Sequence, residues 1–280
     1  MTSEIEEILD EVDQKFKSLK RFEVVSALPD DHHFLNNRWQ TFLCGLRISK
    51  IEQETQLRKR MEQECEILET NLPNSMYVQA YESRRDLMRA VVIGLKGSPY
   101  SYGLFFFDIF FPRAYPSKPP QIFHHHNYAL SKMNSSLSYS YNGNNCSVLY
   151  DGLRSTWNSK TSNVLTLLKY IQDKVLMTSE IYSKDVDKEF LLSHKAMLNF
   201  LRFAPSGFED FVKGYFRKYS HDILLKFKGK GSSNDKNEIS KMFTELYNAF
   251  EMNGSYCKHL VNVLDKDVPR PSRMSSAKNA

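Results

Sequence analysis

A chain of 280 residues with 41% apolar and 13% aromatic side chains can bury a sizeable core, which excludes wholesale disorder. The net charge of +5 is small and spread along the chain, so it makes no electrostatic case for nucleic acid. No apolar run reaches the ~20 residues of a membrane span, and the acidic start Met1–Glu7 lacks a basic-then-apolar leader pattern. A cytoplasmic or nuclear protein is expected. Cys44, Cys65, Cys146 and Cys257 are scattered with no CxxC pair, which disfavours zinc and disulfides and fits reduced thiols. No metal is expected.

From Glu4 to Leu19, the residues Ile5, Ile8, Leu9, Val12, Phe16 and Leu19 share one helical face, which predicts a short amphipathic helix. Phe22–Val25 follows, then Pro29-Asp30-Asp31-His32-His33-Phe34. The two histidines are adjacent and point different ways, so a loop is predicted there rather than a metal site. From Thr55 to Leu72 the positions Leu57, Met61, Cys65 and Leu68 recur at helical spacing, and Pro73 stops that helix. Cys65 on this stripe reads as a core filler. Arg58, Lys59 and Arg60 near the helix start form a basic cluster, read from composition alone as a solvated face.

Three strands are predicted at Met76–Tyr81, Leu87–Leu95 and Gly103–Phe111, with a turn at 96–100 between the second and third. In the third, Leu104, Phe106, Asp108 and Phe110 face one side and Phe105, Phe107, Ile109 and Phe111 the other. Both faces therefore require burial. Pro119-Pro120 sets up a fourth strand at Gln121–His124, and an antiparallel meander results. His124, His125 and His126 alternate along a strand, so they cannot share one metal. From Asn127 to Asp151 the chain is polar and aperiodic, and a loop of that length in a compact domain is usually functional or disordered. It holds Asn142-Gly143-Asn144-Asn145-Cys146. Ser162 is the predicted cap of a helix with Leu165, Leu168, Ile171 and Val175 inward. Further helices are predicted at Val186–Phe203 and Phe208–Tyr219, then a linker over Lys226–Asn237. A last amphipathic helix (Met242, Leu246, Phe250) precedes a Pro/Ser/Lys tail that reads as disordered.

The run Phe111-Pro112-x-x-Tyr115-Pro116-x-x-Pro119-Pro120, then Gly143, Cys146, Trp157 and Ile171-Gln172 in that order, resembles the ubiquitin-conjugating enzymes. The likeness extends from Leu57 to about Tyr219. The Asp31-His32-His33-Phe34 phrase, together with Tyr77-Val78-x-Ala80-Tyr81-Glu82 and Arg89–Gly94, looks most like the large plant members related to the phosphate-homeostasis enzyme. The resemblance implies the α+β UBC fold, a four-stranded antiparallel meander with one helix before it and others after. It implies a core domain over 56–217, with a helical extension over 1–55 and another over 218–280.

It also implies transthiolation, in which a cysteine takes ubiquitin from the activating enzyme as a thioester and yields it to a lysine. The thiolate is the nucleophile. Cys146, in its polar loop, suits that role better than Cys65, and Cys44 and Cys257 fall outside the likeness. By the same likeness, Arg58, Lys59 and Arg60 face the activating enzyme, and Ser117, Asn158 and Ser159 lie in ligase-facing loops. Expected partners are ubiquitin, its activating enzyme, and a ligase or direct substrate, with no nucleic acid and no membrane span. No cofactor is expected, since ATP is used by the activating enzyme. The family places an Asn of a short triplet near the oxyanion; here the triplet reads Asn134-Ser135-Ser136, so Ser136 replaces it, with Asn144 or Asn145 as a substitute beside the thiol. The stretch from Leu137 to Cys146 is longer than the family's. Two readings stand: a working conjugating enzyme, or a weak or inert adaptor that binds ubiquitin or a ligase.

Overall fold

The computed structural model describes residues 10–35, 47–98, 100–125, 156–176, 186–228 and 236–265. Contacts along the chain divide it into one unit over Met1–Phe216 and a second over Arg217–Ala280.

The sheet of the first unit has five strands in sequence order: β1 (Phe22–Val25), β2 (Met76–Tyr81), β3 (Leu87–Ile93), β4 (Leu104–Phe110) and β5 (Gln121–His124). β2 to β5 form the predicted antiparallel meander. β1 adds a fifth strand beside that meander: it lies parallel to β2, with Phe22 opposite Val78 and Val25 opposite Tyr81. Val78 N–H donates to the Arg21 carbonyl (2.7 Å) and Glu82 N–H to that of Val25 (3.0 Å), so the β2 edge that would otherwise lack partners is paired. A parallel partner so distant in sequence leaves no hairpin signal, which is why periodicity missed it.

All seven residues of β4 are buried, as its two apolar faces require. Gln79, Arg89, Asp108 and Phe123 are register partners across β2 to β5, so they share one face with Tyr77 and Phe106. That face is covered from the C-terminal half. The Phe106 ring meets Phe200 (5.0 Å) of α4 (Val186–Arg202) and Phe208 (5.4 Å), while Tyr77 meets Phe211 (4.6 Å) of α5 (Glu209–Leu225). The helix α1 (Glu11–Ser18) lies over α5 in turn, with Phe16 against Phe211. On the opposite face, Phe107 packs on His124 (5.0 Å), and Phe111 leads to Tyr115 (5.0 Å).

Two long helical stretches differ from their predicted bounds. α2 spans Arg47–Asn71, eight residues longer at its start than the apolar stripe suggested, and Pro73 stops it as expected. α5 continues to Leu225 rather than stopping at Tyr219. α3 (Val164–Tyr170) is capped by Asn163, not Ser162. The Asn163 side chain accepts from Thr166 N–H (2.8 Å) and the Thr166 hydroxyl accepts from Asn163 N–H (2.9 Å), a reciprocal capping box. The helix then widens into a π-turn over Ile171–Val175, where Leu176 N–H donates to the Ile171 carbonyl (3.0 Å). There Gln172 donates to the Ile93 carbonyl (2.8 Å) and accepts from the Ser75 hydroxyl (3.2 Å), tying the turn to β3.

In the second unit, Ile223, Leu224 and Phe227 are buried, as are Ile239, Phe243, Leu246 and Phe250 of α6 (Lys236–Met252), and the Phe227 ring meets that of Phe243 (5.5 Å). Arg217 donates twice to the Asn253 carbonyl (2.9 and 2.7 Å), a contact that the φ of +87° at Gly254 places. The predicted linker over Lys226–Asn237 is narrower than expected. Residues 226–228 close α5 with a hydrogen-bonded turn that buries Phe227, and α6 has already begun at Lys236. Burial there pushes the Lys226 ammonium down to about 8. The predicted tail lies outside the described residues.

Candidate functional site

A carboxylate organises the region that the motif marks out. Glu64 lies on the inner stripe of α2 between Met61 and Leu68 and is fully buried. Its Oε1 accepts from the Tyr115 hydroxyl (2.5 Å) and from Arg60 Nη2 (2.8 Å), one helical turn back. Its Oε2 accepts from Val164 N–H (2.8 Å), the first residue of α3. One side chain thus joins α2, the proline turn and the start of α3. Burial first, and the neighbouring Glu64 second, hold the Tyr115 hydroxyl far above its ordinary range, so it stays a donor.

The proline turn is fixed a second time from the Trp157 side. The indole N–H of Trp157 donates to the Pro116 carbonyl (2.8 Å), and its ring packs on Tyr115 (5.9 Å). Behind Trp157 the chain makes its own turn: Asn158 N–H donates to the Ser162 hydroxyl (3.0 Å) and Lys160 N–H to Asn158 Oδ1 (2.9 Å). Ser117, Asn158 and Ser159 are exposed on these two joined loops. Between the Trp157 turn and α3 a cleft of about 170 Å³ is lined by Thr156, Trp157, Ser162, Thr166, Leu167 and Tyr170.

Cys146, Ser136, Asn145 and Cys44 lie outside the described residues. What is described ends at His125 on one side of that stretch and resumes at Thr156 on the other. Of the remaining cysteines, Cys65 is half-buried and Cys257 buried, and burial raises both thiols above their ordinary value. Neither has the exposed, acidified setting of a nucleophile.

The basic cluster separates into two kinds. Arg58 and Lys59 are exposed, Arg58 lying 3.5 Å from Glu62. Arg60 turns inward: besides Glu64 it donates to the Ser162 carbonyl (3.2 Å) and lies 5.7 Å from the Tyr115 ring centre. It is a structural cation rather than a free one. Periodicity missed Glu64 because a charged residue was not sought on an apolar stripe. The signal was present, since Glu64 is three residues after Met61 and four before Leu68.

Among the described residues no three metal-ligating side chains converge. His32 is fully buried with both ring nitrogens engaged, by the Met88 carbonyl (3.1 Å) and by Phe34 N–H (3.3 Å). His124 and His125 fall on opposite sides of the sheet, as strand alternation requires.

A family model described as "Ubiquitin-conjugating enzyme" matches residues 60–185. Three Arabidopsis thaliana proteins are similar over most of the chain. They are the probable ubiquitin-conjugating enzyme E2 25 (36% identical over 73% of this chain) and the putative enzymes E2 38 (34% over 74%) and E2 39 (33% over 74%). The chain spans 35%, 66% and 68% of their respective lengths. The matched stretch runs from the Glu64 hub through the proline turn and Trp157 to the π-turn, and at this identity over most of a relative's length the chain belongs to the ubiquitin-conjugating enzyme family.

Proposed function

We propose that this chain carries ubiquitin as a thioester on Cys146 and passes it to a lysine, acting in the cytoplasm or nucleus. The observation that carries this reading is the double tie of the proline turn. Glu64 holds Tyr115, and Trp157 holds the carbonyl of Pro116, so one rigid frame flanks the stretch that bears the thiol. In the first step the Cys146 thiolate attacks the carbonyl carbon of the ubiquitin thioester on the activating enzyme, and that enzyme's thiolate leaves. In the second, a lysine amine attacks the new thioester. An isopeptide bond forms, the C–S bond breaks, the amine proton is lost and the Cys146 thiolate is regenerated. Arg58 and Lys59, exposed on α2, are the proposed contacts for the activating enzyme, and the joined loops of Ser117 and Asn158-Ser159 those for a ligase.

Incubation with activating enzyme, ATP and ubiquitin is expected to give one adduct that reducing agent removes. Cys146→Ser should give a reduction-resistant ester or none, while Cys44→Ser, Cys65→Ser and Cys257→Ser should still charge. A thioester that persists in Cys146→Ala overturns the assignment. Ser136 in place of the family Asn favours the second reading, an adaptor with slow or no transfer. Charging needs only the thiolate, whereas lysine attack develops oxyanion charge that one short hydroxyl must meet. Discharge should therefore lag charging, and Ser136→Asn should quicken it by up to about 10²-fold. A wild-type protein that folds, binds ubiquitin and never charges is the adaptor.

A further inference from the structure

Two residues of the turn between α4 and α5 bind the sheet through their backbone. Gln79, Arg89 and Asp108 stand in register on β2, β3 and β4. The Gly207 carbonyl accepts from Gln79 Nε2 (3.0 Å), and the side chain of Gln79 comes so near that a Cβ on Gly207 would lie 2.8 Å from its Oε1. One residue earlier, the Ser206 carbonyl accepts from Arg89 Nη1 (2.9 Å) and Ser206 N–H donates to Asp31 Oδ2 (3.1 Å). Asp31 Oδ1 accepts from the same Arg89 Nη1 (2.7 Å). Arg89 gives its other two nitrogens to the fully buried Asp108, through Nε (2.6 Å) and Nη2 (3.1 Å).

Asp31 opens a short segment that clasps this face. His33 N–H donates to Asp108 Oδ2 (2.7 Å), and the His33 ring lies flat on that of Phe123, 3.7 Å between centres and 1° between planes. Phe34 packs with Tyr81, Leu87 and Phe110. The Ser206 side chain is not used in any of this. Its hydroxyl makes no hydrogen bond to a described residue, the residue is partly exposed, and Phe203, Gly207 and Glu209 around it are exposed. Glu209 and Asp210 follow it at the third and fourth positions. Ser-x-x-Glu is also the pattern of a capping box, but no such box forms here. The first bond of α5 runs from Val212 N–H to the Phe208 carbonyl, and the Glu209 carboxylate accepts from Gly207 N–H (2.8 Å) rather than from Ser206.

We propose that Ser206 is a phosphorylation site for an acid-directed serine kinase, and that its phosphate displaces Asp31 from Arg89 and loosens the Asp31–Phe34 clasp. Carboxylates three and four residues on are the kind of charge pattern by which kinases select substrates. Ser206 Oγ attacks the γ-phosphorus of ATP, the bond to the β-phosphate oxygen breaks, ADP leaves, and the hydroxyl proton passes to the kinase's base. The product carries close to two negative charges on a residue already bonded to Arg89. That group competes for Arg89 Nη1 and repels Asp31, which is 38% exposed and free to swing into water. Arg89 stays paired with Asp108. Neither step depends on Cys146 carrying a thioester.

The test incubates the full chain with ATP and casein kinase 2, an acid-directed kinase, with casein as the control for kinase activity. Peptide mass spectrometry maps the phosphate. Ser206 is expected to be labelled, Ser206→Ala to lose that label, and Glu209→Gln to slow it by on the order of tenfold. Residue-resolved amide exchange then reads the clasp. His33 N–H should exchange about tenfold faster in the phosphoprotein, the scale of one lost bond between charged groups, and phosphatase should restore the slow rate. The amides of β3 and β4 should not change. Asp31→Ala should give the same acceleration without kinase, and phosphate should add little to it. Labelled casein with no phosphate on Ser206 overturns the proposal. So does a phosphorylated Ser206 with His33 exchange unchanged, or with β3 and β4 accelerating equally.

Discussion

Burial alone would push the Asp108 carboxyl up, but the close approach of His125 and the two hydrogen bonds from Arg89 outweigh it and hold the group well below the ordinary carboxylate range. Arg89 is likewise kept charged despite burial by its bonds to Asp108. Removing either member of such a pair strands the other charge, at a cost of about 3–5 kcal/mol. His32, 3.7 Å from the same carboxylate, is held the other way. Burial lowers its pKa, and the attraction of Asp108 offsets this only in part, with Arg89 and His125 opposing the added charge. A neutral ring donating from Nε2 to the Met88 carbonyl and accepting at Nδ1 from Phe34 N–H satisfies both contacts, whereas a protonated ring would face Phe34 N–H with a second donor. The sign of the pH effect follows. The unfolded chain takes up this proton near the ordinary 6.5 and the folded one only at lower pH. The stabilisation is therefore complete above pH 6.5 and is lost as pH falls below it. His33, lowered mainly by burial, adds to the same loss. Asp31 and Asp108, both lowered from 3.8, add a second loss below about pH 4. Urea midpoints measured from pH 8 to 3 should show both declines, and His32→Gln should flatten the upper one. A midpoint constant between pH 7 and 5 contradicts the account.

At the scale of elements, the docking of α1 on α5 depends on a missing side chain. Gly214 is the close-approach point, where a Cβ would come within 2.3 Å of the Phe16 Cβ. The obstructing atom is close to the α1 backbone, so the whole helix has to move. Gly214→Ala gains about 1 kcal/mol in helix propensity and loses about 1–3 kcal/mol to overpacking. The overlap is severe enough that the loss should win. Phe16→Gly removes the obstructing Cβ, so the double variant should be more stable than the sum of the single changes predicts, as urea denaturation of the four proteins would show. Strict additivity would mean that α1 does not approach α5 at this point. The Glu64 hub works at the same scale with opposite chemistry: a buried anion substitutes for apolar packing where three elements meet, and each of its partners is a donor.

For the whole molecule, residues 10–35 belong to the same sheet and core as the strands of the meander. β1 pairs the outer edge of β2, Phe34 is 3% exposed among Tyr81, Leu87 and Phe110, and Asp31 and His33 complete the Arg89–Asp108 pair. A protein starting at residue 47 would lose about 2–3 kcal/mol from Phe34 alone, leave two buried charged groups short of partners, and open an edge strand. Against a typical margin of about 5–15 kcal/mol, these losses together should abolish the cooperative thermal transition or lower it greatly. Circular dichroism melts of the full chain and of residues 47–280 compare the two. A transition within a few degrees of the full chain would show that the segment is dispensable.

The sequence by itself determined what is local or strictly periodic. β2 and β5 lie where alternation and the prolines placed them, the two-faced phenylalanine strand is buried throughout, and Pro73 ends α2. The proline-turn motif carried the family, because it constrains many consecutive positions at once. Long-range pairing was decided only by the tertiary structure. Neither β1 beside β2 nor Asp31 beside Arg89 has a signature within any short window, since each partner completes a group that sits far along the chain. Burial of charge was hidden for a related reason. Glu64, Arg89 and Asp108 look like surface residues to any scale that scores one side chain at a time. They can be buried only because their partners arrive together on folding, and those partners come from different elements.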